Sequence, residues 1–202
     1  LGISRVGDAN SGNVVMSGDG YVDVRYGSTI MAHFGYGVGN AASGTDTQPY
    51  YTFGVEKSGT AVGNYSVREG YNATASSYAS HAEGVNTTAS GNQSHAEGFE
   101  TTASGNQSHA EGSTNTANGS ANHVEGYNNN ASNSYSHAEG STNIASGYAS
   151  HVEGIDATAG GYVSHSQNEG TAALMRAQTA LGTYNIKDTS TTTTHPSEIL
   201  GY

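Results

Sequence analysis

The chain has 202 residues, a formal net charge of −11 at neutral pH, 29 glycines and no cysteine. Only six residues are Lys or Arg, which argues against nucleic acid as a partner because phosphate binding depends on clustered basic side chains. The lack of cysteine excludes disulfide bonds and zinc–thiolate sites. No apolar run approaches the roughly 20 residues of a membrane-spanning helix, so no membrane insertion is expected.

The first region, residues 1–60, has no clear repeat. It contains β-favouring stretches at residues 13–16 and Tyr21–Tyr26, separated by turn-rich segments. We therefore expect an irregular β region of short strands. The first five residues resemble neither an initiator segment nor a signal peptide, so we expect the chain to be a piece of a longer protein.

The second region, residues 61–170, repeats every fourteen residues. Alanine recurs at this spacing from Ala61 to Ala159, and glycine mostly follows two positions later, as in Gly63 and Gly91. A repeat this strict predicts a solenoid in which each coil stacks on the next. The pentapeptide Ser-His-Ala-Glu-Gly begins at Ser80, Ser94, Ser108 and Ser136, with near copies at Asn122 and Ser150.

The period also predicts the geometry of one coil. Two strands of about five residues and two tight turns use up fourteen residues, and each coil should advance by one strand spacing of about 4.8 Å. Alternation along the strand places His81 and Glu83 on one face and Ser80 and Ala82 on the other. We expect about eight such coils.

The repeat region is poor in large apolar residues. Between Gly70 and Gly170 the chain has seven residues of the Leu, Ile, Val and Phe class. Taken alone, this composition is typical of disorder, but a strict period is not. A thin coil buries little surface by itself, so we expect it to associate with copies of itself.

The last region, residues 171–202, opens with residues 171–181, whose composition favours a helix ended by Gly182. A Ser/Thr-rich run follows as far as Thr194. We therefore expect a short C-terminal helix followed by an exit linker.

The fourteen-residue unit resembles the head repeats of trimeric autotransporter adhesins. Its Ser-His-Ala-Glu-Gly version is still more similar to repeats in tail fibres and appendages of phages that infect Gram-positive hosts. The resemblance covers residues 61–170 and implies an all-β, left-handed parallel β-roll in a homotrimer. Residues 177–185 also resemble the segment that, in such phage proteins, precedes a self-cleaving trimerisation chaperone.

The resemblance also implies a function. The chain would be a structural and receptor-binding part of a phage tail fibre, tailspike or appendage, extracellular on the virion, attaching to a host cell-surface glycan or protein. The alternative is the head of a bacterial trimeric adhesin on the bacterial cell surface. Two further copies of this chain would be its partners in the homotrimer, and no cofactor is implied.

Histidine and glutamate stand where the adhesin family places Val and Ile facing the trimer interior. No Lys or Arg lies between Gly70 and Gly170. We therefore expect a ladder of His–Glu hydrogen bonds between neighbouring chains, with the pKa values of His raised and those of Glu lowered. The expected ladder residues are His81, Glu83, His95, Glu97, His109, Glu111, His123, Glu125, His137, Glu139, His151 and Glu153.

Histidine and glutamate on a trimer axis could also bind metal ions, since imidazole and carboxylate suit several divalent ions. Ions stacked at about 4.8 Å would repel one another strongly, so the metal-free ladder is the preferred interpretation. Threonine pairs such as Thr87-Thr88 are also found on the flat faces of ice-binding solenoids, although Asn130 and Ile144 interrupt that column.

Catalysis is not expected. Ser80 and His81 are adjacent and point to opposite faces, and no nucleophile elbow is present. The remaining enzyme alternative is a glycan depolymerase that uses a carboxylate pair in the N-terminal region. The candidates for that pair are Asp19, Asp23, Asp46 and Glu56.

Tyrosine is the better indicator of a binding surface. The chain has 14 Tyr and no Trp. A tyrosine ring and its hydroxyl suit saccharide and protein surfaces, but the same rings would also cap the end of a roll. The residues concerned lie where the irregular region meets the repeats: Tyr50, Tyr51, Tyr65, Tyr71 and Tyr78.

Overall fold

The computed structural model describes residues 63–184 in full and, on either side of them, the backbone of five further strands. Throughout this described part the chain consists of strands and turns, with no helix. The strands form two sheets, one of fourteen strands and one of eight.

The N-terminal strands form an antiparallel meander that leads into the repeats. They are β1 (Gly12–Met16), β2 (Tyr21–Tyr26), β3 (Thr29–Tyr36) and β4 (Pro49–Val55). β1 and β2 cover the two stretches that the sequence predicts as strands. β4 then pairs in parallel with β5 (Val67–Tyr71), with Tyr51 opposite Val67.

From β5 to β21 the larger sheet is parallel, and each pairing joins residues fourteen apart, such as His81 with His95. This register stacks equivalent residues of successive coils into columns. The strands that follow β5 in this sheet are β7 (His81–Val85), β9 (His95–Phe99), β11 (His109–Ala110), β13 (His123–Val124), β15 (His137–Ser141), β17 (His151–Ile155), β19 (His165–Glu169), β21 (Thr179–Leu181) and β22 (Ile199–Leu200).

The smaller sheet contributes one strand to each coil. Its eight parallel strands extend about 34 Å at a spacing of about 4.8 Å. They are β6 (Thr74–Ala75), β8 (Thr88–Ala89), β10 (Thr102–Ala103), β12 (Thr116–Ala117), β14 (Asn130–Ala131), β16 (Ile144–Ala145), β18 (Thr158–Ala159) and β20 (Ala172–Ala173).

These strands have two residues rather than the five expected. The corners use the remaining residues, because each coil turns through left-handed positions such as Gly84, Asn86 and Gln93. The chain is therefore a parallel β-solenoid of about eight fourteen-residue coils, with one strand longer than the other in most coils.

The interior of the solenoid is lined by small side chains. Ala82 in the larger sheet and Ala89 in the smaller sheet belong to two columns that are fully buried. Only Val124 and Val152 are larger apolar residues in this buried set. The two sheets are thus close enough for methyl groups to fill the space between them, which is why a coil with so few large apolar residues still has a packed centre.

Buried polar side chains in the interior hydrogen-bond to the backbone. The Ser94 hydroxyl donates to the Gly91 carbonyl at 2.7 Å, and Ser108 repeats this bond with Gly105. The backbone N–H of Asn129 donates to the side-chain oxygen of Asn115 at 2.7 Å. Such bonds tie each coil to itself or to the next and offset the cost of burying polar groups.

The predicted C-terminal helix at residues 171–181 is wrong. This segment forms β20, a turn and β21 instead. Ala173 pairs with Ala159 and Ala180 with Ser166, so both residues lie in the two interior columns. The preceding coil offers a template of backbone hydrogen bonds and a place for each alanine methyl, which outweighs the weak helix propensity of the segment.

A candidate ligand face: the histidine–glutamate column

Each copy of the pentapeptide places two side chains inside the coil and two outside. Ser80 and Ala82 are buried, whereas His81 and Glu83 lie on the outer face and are half-buried. This is the alternation that the sequence predicts. The outward residues define the His–Glu column: the twelve ladder residues of the sequence prediction together with His165 at its last coil.

The histidine rings of the column stack on one another. Successive ring centroids lie 4.6 to 5.1 Å apart, and their planes are within 10° of parallel. The stack runs without interruption through seven coils. Because the strand spacing matches the ring-to-ring distance, one backbone register fixes the whole stack.

Five of the seven histidines also lie within 4.0 Å of a glutamate of the same chain. His109 Nε2 is 3.3 Å from Glu97 Oε1, and His123 Nε2 is 3.4 Å from Glu111 Oε1. Comparable separations of 3.7 Å occur for His137 with Glu125 and for His165 with Glu153. The single chain therefore brings the expected partners together between coils, while pairing between chains stays a prediction.

Among the His–Glu pairs of the described residues, only His109 and Glu97 have the geometry of a hydrogen bond. At the other positions of the stack the Nε2 atom is buried yet makes no hydrogen bond: His81, His95, His123, His137, His151 and His165. Buried polar atoms normally have partners, so this row of nitrogen atoms indicates a face that is completed by something else.

The carboxyl groups of the column interact with one another as well as with histidine. Hydrogen bonding with Glu83, followed by burial and hydrogen bonding with Glu111, raises the pKa of Glu97 to about 7. Glu139 behaves in the same way between Glu153 and Glu125, with its pKa raised to about 7. Glu97 and Glu139 therefore keep their protons up to about pH 7, well above the pH at which an ordinary carboxyl loses them.

Glu111 shows the opposite net effect. Burial alone would raise its pKa, but interactions with the neighbouring Glu97 and His123 side chains outweigh burial and lower it. Glu97 therefore holds a proton more tightly than Glu111 does. Such a difference between neighbouring carboxyls limits the repulsion between them.

The pKa values of four histidines move in the direction opposite to the sequence-based expectation. Burial, followed by repulsion from the histidines above and below, lowers the pKa of His95 and His137. Burial is also the main cause of the lowered pKa values of His109 and His151. Ring stacking separates like charges by less than 5.2 Å, an effect that pairwise His–Glu reasoning leaves out.

A groove runs beside the C-terminal half of the column. It has a volume of about 470 Å³ and is bounded by carboxyl groups on one side and by backbone on the other, because glycine follows glutamate in most coils. Its lining residues are Glu125, Gly126, Glu139, Gly140, Glu153, Gly154, Gln167 and Asn168.

The column also contains groups of three residues whose candidate ligand atoms lie close together. In each group, one nitrogen or oxygen atom per residue lies within 4.8 Å of the other two. The groups within the described residues are His81–Glu83–His95, His95–Glu97–His109, Glu111–His123–Glu125, Glu125–His137–Glu139 and Glu139–His151–Glu153.

The predicted tyrosine surface is only partly assembled. Tyr65 and Tyr78 make an edge-to-face contact with centroids 5.5 Å apart, and both are exposed. Tyr71 ends strand β5 and therefore lies at the other corner of the coil. Tyr50 and Tyr51 belong to β4, and their side chains lie outside the described residues.

A second tyrosine cluster was missed by sequence reasoning. Tyr135 contacts Tyr148 edge to face at 5.3 Å, and Tyr148 stacks on Tyr162 at 5.1 Å. The Arg176 guanidinium then lies 5.0 Å above the Tyr162 ring. The signal was available in the sequence, because Tyr135 and Tyr148 have the same thirteen-residue spacing as Tyr65 and Tyr78.

The residues considered for catalysis do not come together in the described part of the chain. The Ser80 hydroxyl points into the coil and donates to the Ser77 carbonyl at 2.8 Å, away from His81. The side chains of Asp19, Asp23, Asp46 and Glu56 lie outside the described residues.

No protein-family profile matches the chain, and a search of curated proteins finds no relative. Among the residues that the structure describes, no helix is long and apolar enough to cross a membrane.

Proposed function

We propose that this chain forms the rod of a homotrimeric extracellular fibre, a phage tail fibre or appendage, that attaches to a host cell surface. The observation that carries the proposal is the distribution of side-chain size in the solenoid. Its interior holds small residues, while most of the large apolar side chains are outside. Such a coil gains little stability from its own core and needs copies of itself to cover its outer face.

The corner beside the His–Glu column supports association. The residue after each glycine of the pentapeptide is often large and apolar, and the side chains at this position are 38 to 58% exposed. We call this row the apolar corner. Its members are Tyr71, Val85, Phe99, Tyr127 and Ile155. Exposed apolar side chains aligned along a rod mark an interaction surface.

The repeat itself provides a second argument. The apolar corner changes from coil to coil, for example from Phe99 to Ser113 and Tyr127, so exposed positions tolerate substitution within this chain. Histidine on the adjacent half-buried face is the same residue in seven successive coils. A constraint beyond folding of the single coil therefore acts on this face, and burial between identical chains is such a constraint.

The tyrosine corners are the proposed contact surface for the host. Tyr65 with Tyr78, and Tyr135 with Tyr148 and Tyr162, form two exposed clusters on the corner opposite the apolar corner. Tyrosine combines an apolar ring with a hydroxyl, which suits cell-wall glycans and surface proteins. The head of a bacterial trimeric adhesin would have the same physical role, and the source of the chain distinguishes the two.

Light scattering of the full chain tests the trimer directly. We expect a particle of three times the 20.6 kDa chain mass at micromolar concentration. Replacing Phe99, Tyr127 and Ile155 by serine should dissociate it, because these changes remove the proposed apolar contacts. The matched control replaces Tyr148 and Tyr162 by serine and should leave the mass unchanged. A monomeric parent chain would contradict the proposal.

Attachment is tested with the same two variants. Fluorescently labelled protein is sedimented with intact Gram-positive and Gram-negative bacteria and with their purified walls. We expect the parent chain to bind at least one of these surfaces and the Tyr148/Tyr162 variant to lose binding while remaining a trimer. Equal binding by both proteins would remove the tyrosine corner as the contact surface.

A further inference from the structure

We propose that the His–Glu column binds divalent transition-metal ions, with Zn²⁺ as the model ion, in gaps between adjacent coils of a single chain. The starting observation is geometric. Five groups of three His and Glu residues place their ligand atoms within 4.8 Å of one another, and each group combines imidazole nitrogen with carboxylate oxygen. This mixture of ligands suits Zn²⁺, Co²⁺ and Ni²⁺ better than it suits Mg²⁺ or Ca²⁺.

The separations between nitrogen and oxygen match those across a bound ion. Zinc binds histidine at about 2.0–2.1 Å and carboxylate at about 2.0–2.2 Å, so two ligands of a tetrahedral ion lie about 3.4 Å apart. His109 and Glu97 are separated by 3.3 Å, His123 and Glu111 by 3.4 Å, and His81 and Glu83 by 3.6 Å. Most of these distances exceed those of a normal N–H···O hydrogen bond.

The unsatisfied nitrogen atoms are a second observation. His81 Nε2 and His95 Nε2 are both buried without a hydrogen bond, and both belong to the group that contains Glu83. His123 Nε2 and His151 Nε2 are likewise buried without a hydrogen bond in the groups that contain Glu125 and Glu153. A metal ion binds the unprotonated nitrogen of a neutral imidazole, and that nitrogen must not be occupied by a hydrogen bond.

Charge points in the same direction. Between Gly70 and Gly170 the chain has no Lys or Arg, so no basic side chain of this segment neutralises the row of glutamates. A bound divalent ion would neutralise one or two of these carboxyl groups, depending on the group.

Shared residues limit how many ions one chain can hold. His95 belongs to two of the groups, as do Glu125 and Glu139. Three groups have no residue in common: His81–Glu83–His95, Glu111–His123–Glu125 and Glu139–His151–Glu153. They occur in every second gap, so their ions would lie about 9.6 Å apart instead of 4.8 Å, which weakens the repulsion between ions.

The three groups differ in their ligands. The first supplies two imidazoles and one carboxylate, whereas the other two supply one imidazole and two carboxylates. Nitrogen ligands favour Zn²⁺ and Co²⁺, so we expect the first group to bind most tightly. Three protein ligands leave one position on a tetrahedral ion for water or for a residue of another chain.

The test uses the full chain, stripped of metal and titrated with Co²⁺ followed by visible absorption, and with Zn²⁺ followed by calorimetry. We expect saturable binding of up to three ions per chain and a tetrahedral Co²⁺ spectrum. His95→Gln should remove the tightest site and lower the capacity from three ions to two. The matched control Thr102→Val alters the smaller sheet. It should change neither the number of ions bound nor the affinity of the tightest site.

Circular dichroism of the metal-free proteins controls for folding, and Glu83→Gln provides a second variant of the same site if His95→Gln does not fold. Three results would overturn the proposal. They are the absence of saturable binding, binding that the His95 and Glu83 variants leave unchanged, and a stoichiometry of one ion per three chains. The last result would place the ion on a trimer axis instead of between coils of one chain.

Discussion

The column of glycines that end the pentapeptides, the two interior alanine columns and the His–Glu column follow the same fourteen-residue period for different physical reasons. A Cβ added at Gly84 or Gly98 would clash with the backbone of the next coil, and the residue there has a positive φ. Ala82 and Ala89 are fully enclosed between the sheets. His81 and Glu83 are half-exposed, so neither the next coil's backbone nor the opposite sheet restricts their side chains in this way. Backbone proximity fixes the first columns, while interactions between side chains fix the second.

The largest expected effect comes from the glycine column. Gly98→Ala places a side chain against the Gly112 carbonyl at φ +102°, a conformation that L residues rarely adopt. We expect a loss of roughly 3–4 kcal/mol or failure to fold, measured by urea denaturation. Gly160→Ala is the control, because its nearest atom is the flexible Leu174 side chain. Equal losses for the two variants would show that backbone proximity does not fix the column.

A smaller effect should separate the two alanine columns. The interior position of Ala110 is occupied by valine at Val124 and Val152, whereas the position of Ala117 is alanine in every strand of the smaller sheet. We expect Ala117→Val to cost about 1–3 kcal/mol by overpacking and Ala110→Val to cost clearly less. Thermal unfolding of both variants measures the difference, and the reverse order would contradict this account of the interior.

The His–Glu column should respond to pH. The pKa of Glu139 is about 7 when folded and 4.5 in its ordinary state. The folded chain therefore holds a proton that the unfolded chain releases, and the stability contributed by Glu139 is lost as pH rises from about 4.5 to 7. The lowered histidine pKa values act in the opposite direction below about pH 6.5, so the glutamate effect should be clearest above that value.

Glu139→Gln isolates this effect. The amide stays neutral at all pH values, so the variant should be more stable than the parent at pH 8 and closer to it at pH 5. The gain should be under about 1 kcal/mol, because the carboxyl is only partly buried and solvent screens its interactions. Melting temperatures at the two pH values provide the measurement. A difference between variant and parent that does not depend on pH would exclude a shared proton at Glu139.

The smallest expected effect lies at the tyrosine corner. Arg176→Gln removes the cation from the Tyr162 ring, which lies 5.0 Å away. At an exposed site we expect a loss of about 0.5–1 kcal/mol by urea denaturation. Arg176→Lys keeps a cation and should lose less. If both substitutions have the same effect, the arginine contributes through packing of its stem and not through its charge.

The sequence alone determined the coil length, the stacking register and the inward or outward direction of Ser80, His81, Ala82 and Glu83. These features follow from a strict period and from the alternation of side chains along a strand. Sequence reasoning failed at residues 171–181, where composition favours a helix but Ala173 and Ala180 continue the interior columns. Local propensity is weak, and a preceding coil is a template that only the folded chain provides.

The tertiary structure decided how the outward residues interact. The sequence placed His and Glu on one face, but stacking of the rings at 4.6–5.1 Å and pairing of His109 with Glu97 of the previous coil required coordinates. The direction of the pKa shifts depended on them too, because burial and like neighbours outweigh attraction between opposite charges at His95 and Glu97. A sequence shows which groups share a face, whereas energies in a row of charges depend on distances of a few ångströms.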